Sequence, residues 1–208
     1  MKASVYCAGG TEMLRPYLTG LSASLLMVMS PLVSQASELP IVESAVLGIG
    51  KNPPWSEPVQ VEDPFEGQFI AVFDRHRFSD RFLNTHLRIE VQSLWTQDYV
   101  RLLLTAKDRD CYGHHGFLSS SYCSELIDTK KIVKLFVKID EQIYQVSGQH
   151  NTFPVNSELA SALSSASEQD IQIRLVTESG ASVDSKIGPK TVKAWQTLYQ
   201  PAVSRSLN

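Results

Sequence analysis

An α+β fold is predicted for this 208-residue chain: a mainly antiparallel sheet of about six or seven strands, with one or two helices packed on it near the C-terminus. Three features carry that expectation. Apolar and polar side chains alternate at a period of two in several segments between Leu87 and Ile187. Short polar clusters such as Thr96-Gln97-Asp98 and Glu178-Ser179-Gly180 separate these segments. Helical spacing enters only after Asn156.

Residues 1–36 read as a cleavable signal peptide. Lys2 and Arg15 are the basic residues of this stretch, and an apolar run, residues 21–33, follows them. The run is shorter than the roughly 20 residues that a bilayer-spanning helix needs. Pro31 follows its densest part, and Ser34 and Ala36 put small residues at the −3 and −1 positions, so cleavage is expected after Ala36. A start at Met13 would shorten the long leader. An uncleaved anchor is the alternative reading, and the shortness of the run speaks against it.

Residues 37–66 read as a proline-rich N-terminal arm. Pro40, Pro53, Pro54, Pro58 and Pro64 are half of the chain's prolines. Proline fixes φ and removes a donor, so neither a central strand nor a helix is expected there. Trp55 is the large apolar anchor expected to tuck the arm onto the core.

A single β-rich domain is expected over residues 67–208. Gln68–Phe73 is a short apolar strand. Leu87, Ile89 and Val91 form the inward set of a second strand, and Val100, Leu102 and Leu104 that of the returning one, closing a hairpin. Residues 107–131 are polar and glycine-containing and read as a long loop. Val133, Leu135, Val137 and Ile139 then share one face of a strand whose other face carries Lys134, Phe136 and Lys138. Asp140-Glu141 turns the chain into Gln142–Ser147.

Asn156 is the expected N-cap of a helix through Ala166, with Leu159 and Leu163 on one face. Ile171, Ile173 and Leu175 mark another strand, and Val183–Ile187 returns. Gly188-Pro189 opens the strongest helix, with Val192, Trp195 and Tyr199 at helical spacing and Leu198 beside them.

Composition limits function. A hydrophobic content of 43% allows a packed core and argues against wholesale disorder. The formal charge of -3 becomes one unit more negative when Lys2, Arg15 and Glu12 leave with the leader. A mildly acidic chain lacks the basic field that nucleic-acid backbones require, so no nucleic-acid partner is expected. Nor is an integral membrane segment expected in the mature chain.

Of three cysteines, Cys7 lies in the leader, which leaves Cys111 and Cys123 to pair in an oxidising compartment. Closing a loop of this size contributes about 2.5–3 kcal/mol in the chain-entropy account. The segment between them, Cys111–Cys123, combines Tyr112, Phe117 and Tyr122 with His114 and His115. These five residues are the candidate binding set, because a stapled loop loses less freedom when it binds. An inert stabilised loop is the competing reading.

No cofactor or metal is expected. Zinc at Cys111, His114, His115 and Cys123 would need adjacent histidines to converge on one ion, and the spacing departs from paired zinc motifs. Gly48-Ile-Gly-Lys51 fails as a phosphate loop, since Ala45 and Asn52 stand where glycine and Ser or Thr are required. Arg75-His76-Arg77 with Arg81 reads as a solvated basic face neutralised by Asp74 and Asp80, with an anionic ligand as the alternative. His86 and His150 are isolated, and His86 is expected to point to water.

Two functional classes remain. One is an exported, non-enzymatic binding or accessory module of the cell envelope, contacting a protein or polymer through residues 111–123. The other is a small secreted hydrolase using His114 or His115 with a nearby serine (Ser119, Ser120 or Ser121) or a metal, although no Gly-x-Ser-x-Gly elbow is present.

Overall fold

Wherever the sequence alternates at a period of two the chain is extended, and the strands assemble into two sheets rather than one. A computed structural model describes residues 38–82, 85–112 and 122–200, with the backbone alone at 80–82, 85–86, 109–112 and 122–124. In chain order the strands are β1 (Ile41–Val42), β2 (Pro58–Asp63), β3 (Gly67–Phe82), β4 (Thr85–Thr96), β5 (Tyr99–Tyr112), β6 (Tyr122–Lys130), β7 (Ile132–Ile139), β8 (Gln142–Ser147), β9 (Thr152–Pro154), β10 (Ile171–Thr177) and β11 (Ser182–Ile187). The helices are α1 (Ser157–Ser165) and α2 (Pro189–Leu198). The class is α+β and mostly antiparallel, with both helices in the C-terminal half.

The larger sheet has seven strands. β1 to β6 lie side by side in chain order, and β9 joins β5 at Tyr99–Arg101. β1 pairs with β2 in parallel, and every other described strand pair is antiparallel. The second sheet has the order β11-β10-β7-β8. Lys131 alone separates β6 from β7, so the chain passes from one sheet to the other at a single residue.

The main core lies between the sheets and helices. The larger sheet supplies Val72, Val91, Trp95, Val100, Leu102 and Leu104; the smaller supplies Leu135, Val137, Ile173 and Leu175. Alternation sends these residues inward from their strands. A second, smaller core sits on the opposite face of the larger sheet, where Ala45, Val59, Val61, Ala71, Phe73 and Leu94 pack with Trp55 and Leu47 beside them. Gln68–Phe73 is almost continuously apolar for this reason: Val72 enters one core while Ala71 and Phe73 enter the other.

α1 starts where its cap predicts. The Leu159 amide donates to Asn156 Oδ1 at 2.8 Å, satisfying one of the orphan donors of the first turn. In α2, Pro189 takes the first position, and Thr191, Val192, Ala194, Trp195 and Leu198 are buried. Trp195 packs on Trp95 with ring centroids 4.4 Å apart. The Tyr199 hydroxyl donates to the Thr96 carbonyl at 2.8 Å, and Gln97 Nε2 donates to the Leu198 carbonyl, one of the acceptors left free at the helix end.

The structure departs from the sequence reading in three places. The proline-rich arm contains β1 and β2, and β2 has a neighbour on each side. Pro58 is tolerated because it is the first residue of its strand. Residues 107–131 are not one long loop: β5 runs to Tyr112 and β6 returns from Tyr122, in register throughout. β3 extends nine residues beyond Phe73, to Phe82. Trp55 does anchor the lead-in, meeting Phe73 edge to face at 6.4 Å.

Two local tests follow from this packing. Gly148 → Ala would press a Cβ against the Thr152 carbonyl and the Phe153 ring, and a backbone oxygen cannot swing aside. It is expected to lower unfolding stability by about 1–3 kcal/mol. Asn156→Ala is expected to cost about 1 kcal/mol, and Asn156→Ser to recover most of that. Urea denaturation midpoints check both.

Candidate functional site

The predicted binding segment begins and ends on neighbouring strands. Cys111 pairs with Cys123, and Tyr112 with Tyr122, as the last rungs of the β5–β6 ladder. Because β3 to β6 alternate in direction, the β3–β4 and β5–β6 connections leave the sheet at the same end. His114, His115 and Phe117 lie outside the described residues, as do the side chains of Tyr112, Tyr122, Cys111 and Cys123. So does the side chain of His86.

The basic stretch on β3 is dispersed rather than gathered. Alternation sends Arg75 and Arg77 to one face and His76 to the other. Arg75 lies over the Trp55 ring at 4.4 Å. Arg77 pairs with Glu90 through Nε at 2.9 Å and Nη2 at 3.3 Å. Burial pushes the Glu90 carboxyl upward, but hydrogen bonds from Arg77 and Gln92 and the charges of Arg77 and Arg75 outweigh it and hold it below the ordinary range. Gln92 in turn exchanges hydrogen bonds with the Gly48 backbone, which pins the rejected phosphate-loop segment to β4.

Asp74 does not neutralise this stretch as the sequence suggested. It is only 4% exposed, beneath α2, where Thr191 Oγ1 donates to its Oδ1 and the Ser56 hydroxyl lies against Thr191. Burial raises its pKa, against hydrogen bonds from Thr191, Ser56 and the Arg75 backbone.

A cleft of about 730 Å³ lies between β3 and the four-stranded sheet, lined mostly by outward-facing residues of that sheet. This is within the ~300–1,000 Å³ usual for small-molecule sites. His76 and Phe78 form one wall, stacked at 5.1 Å. His76 Nδ1 lies 2.9 Å from Ser185 Oγ, and the Lys186 amide donates to the same nitrogen at 3.4 Å. Nδ1 therefore accepts, and the ring is the neutral Nε2–H tautomer. Burial first, and then the Lys186 charge, lower the His76 pKa against the opposing charge of Asp170, which favours the neutral ring. A serine and a histidine thus meet where sequence reading did not place them. Among the described residues no carboxylate hydrogen-bonds the ring to orient it as a catalytic triad requires. The contact ties the overhanging β3 to the β11 edge of the smaller sheet.

One outward residue signals the cleft in the sequence. Phe136 is an outward aromatic between Lys134 and Lys138 on a strand whose inward face is already complete. An aromatic on the solvent side of such a strand marks a surface with something to contact.

Among the described residues no cluster of three or more His, Cys, Asp or Glu side chains is placed to hold a metal, and no helix is long and apolar enough to cross a membrane. No family model matches the chain, and no curated protein or solved structure matches it.

Asp74 yields a pH test. A carboxyl whose folded pKa is raised binds its proton more tightly in the folded state. Stability from this group therefore increases as pH falls through the folded value towards the ordinary 3.8, and is lost as pH rises again. Asp74→Asn keeps the polar shape without the charge. It is expected to be at least as stable as the parent at pH 7, with its advantage shrinking on acidification. Denaturation curves at neutral and mildly acidic pH check this, and a constant difference would contradict it.

Proposed function

We propose that this chain is an exported, non-enzymatic binding module of the cell envelope, and that it contacts a protein or polymer through residues 111–123. The observation that supports this reading is the register of Cys111 against Cys123. Directly opposed residues of an antiparallel ladder have Cα atoms about 4.5–5.5 Å apart. A disulfide spans about 4.4–6.8 Å. A bridge at this rung would close the segment at its base, so that Tyr112, His114, His115, Phe117 and Tyr122 are presented with part of their freedom already removed. The leader-like residues 1–36 supply the route to an oxidising compartment, with cleavage near Ala36.

Intact-mass measurement on protein from the native host tests the address. The expected species begins at Ser37 and is lighter than the reduced chain by two hydrogens. A retained leader or two free thiols would overturn the reading. The contact itself is tested by capture from envelope extract. The double change His114→Ala with Phe117→Ala is expected to weaken capture about tenfold or more while leaving the unfolding midpoint unchanged, and reductant is expected to weaken capture by the parent. Equal capture by parent and variant would refute the assignment of the segment.

A further inference from the structure

We propose a second binding site, independent of residues 111–123: the cleft between β3 and the four-stranded sheet takes an amphipathic anion, a molecule with an apolar body and a single carboxylate or comparable head. Strand register builds its floor. One rung across the four strands carries Lys186, Gln172, Lys138 and Ile143 on the outward face, and the rung beside it carries Asp184, Arg174 and Phe136. The apolar positions Phe136 and Ile143 fall together on β7 and β8, and Phe78 faces the cleft from β3. Ile143 is 62% exposed, a large apolar side chain left in water when the cleft is empty. An apolar body laid there would remove this surface from water at about 25 cal/mol per Å².

The charges of the wall set the sign of the ligand. Both carboxylates that line the cleft are already engaged. Asp184 accepts two hydrogen bonds from Arg174, at 2.5 and 2.9 Å, and Asp170 accepts one from Lys186 at 2.6 Å. Lys138 stands apart. Its carboxylate neighbour is Glu141, 3.7 Å away, almost fully exposed and outside the lining. Lys138 lies between Gln172 and Ile143 in its rung, where an anionic head meets an ammonium and an amide donor while its body rests on Ile143 and Phe136. Three cations against two carboxylates leave the lining positive, so a cationic amphiphile is disfavoured and an anionic one is complementary.

Calorimetric titration of the mature protein with dodecanoate and with naphthalene-2-carboxylate, each against its neutral alcohol, tests the proposal and separates an alkyl from an aromatic body. Saturable one-to-one binding of at least one acid is expected, about tenfold tighter than its alcohol. Lys138→Gln is expected to abolish that preference, and Ile143→Ser to weaken acid and alcohol alike. Both residues are exposed, so unfolding midpoints should not move. The His114→Ala/Phe117→Ala variant is expected to bind the acid as the parent does, which keeps this site distinct from the stapled segment. Saturation by neither acid, equal affinity for acid and alcohol, or parent-like preference in Lys138→Gln would each overturn the assignment.

Discussion

The packing of Trp195 against Trp95 seats the last helix on the larger sheet, at the centre of the main core. Trp95 belongs to β4, in the middle of the larger sheet, and Trp195 to the last helix, far away in sequence; both are fully buried. Such a pair contributes about 0.5–1.5 kcal/mol beyond the area it buries. Its position matters more than that increment. α2 also meets α1 and β3, and it contributes Val192, Ala194, Trp195 and Leu198 to the core that both sheets share. Polar ties add to it: Thr191 donates to Asp74, Gln97 to the Leu198 carbonyl and Gln196 to the Ala166 carbonyl. Tyr199 reaches the Thr96 carbonyl, while Trp195 Nε1 is buried with no partner among the described residues. Leaving that donor unpaired costs about 1–3 kcal/mol, which the packing of the ring has to offset.

Local pattern explains which parts of the fold were legible. Strands that alternate apolar with polar residues announce themselves, and β4, β7 and β10 were readable from Leu87, Val133 and Ile171 onward, although Glu90 and Gln92 on the polar face of β4 are themselves buried. Both helices were readable from their starts, Asn156 in one case and Gly188-Pro189 in the other, because the orphan donors of a first turn demand particular residues. β2 was hidden for a different reason. Proline opposes a strand only where its missing amide would have to pair, and Pro58 is the first residue of β2. The length of β3 was hidden because Asp74 is buried and Arg75 and Arg77 are not, so no simple alternation survives. Asp74 reads as a surface carboxylate until a helix with Thr191 is known to cover it.

The candidate sites show the same division. Cys111 and Cys123 could be paired on paper, and the strands bring them to one rung, though sequence alone gave a loop where there are two strands. The cleft was legible in the sequence through one residue only. Its lining comes from five strands, and no two of its key residues, His76, Phe136, Lys138, Ile143 and Arg174, sit in a recognisable motif. Register across a sheet is a long-range property, and a single strand reports only which residues face outward. Phe136 alone hinted that the outward face of β7 differs from an ordinary solvated surface.

Stability is distributed unevenly along the larger sheet, and both candidate sites lie towards the less supported end. Near Phe73 and Leu94 the strands are covered on both faces by apolar side chains. Further along β3 and β4 the cover thins, and the ties become polar: Arg77 on Glu90, Gln92 on Glu90 and Gly48, and His76 on Ser185. On β6, at the edge, Leu126 and Ile127 are exposed. Elements with few buried apolar contacts open at lower free energy than the core. Cys111 and Cys123 face each other near the end of this ladder. The cleft is bounded by the same overhang of β3, anchored by one histidine–serine contact. The well-packed half thus serves as a base from which the long strands β3 and β4 extend towards their polar ties.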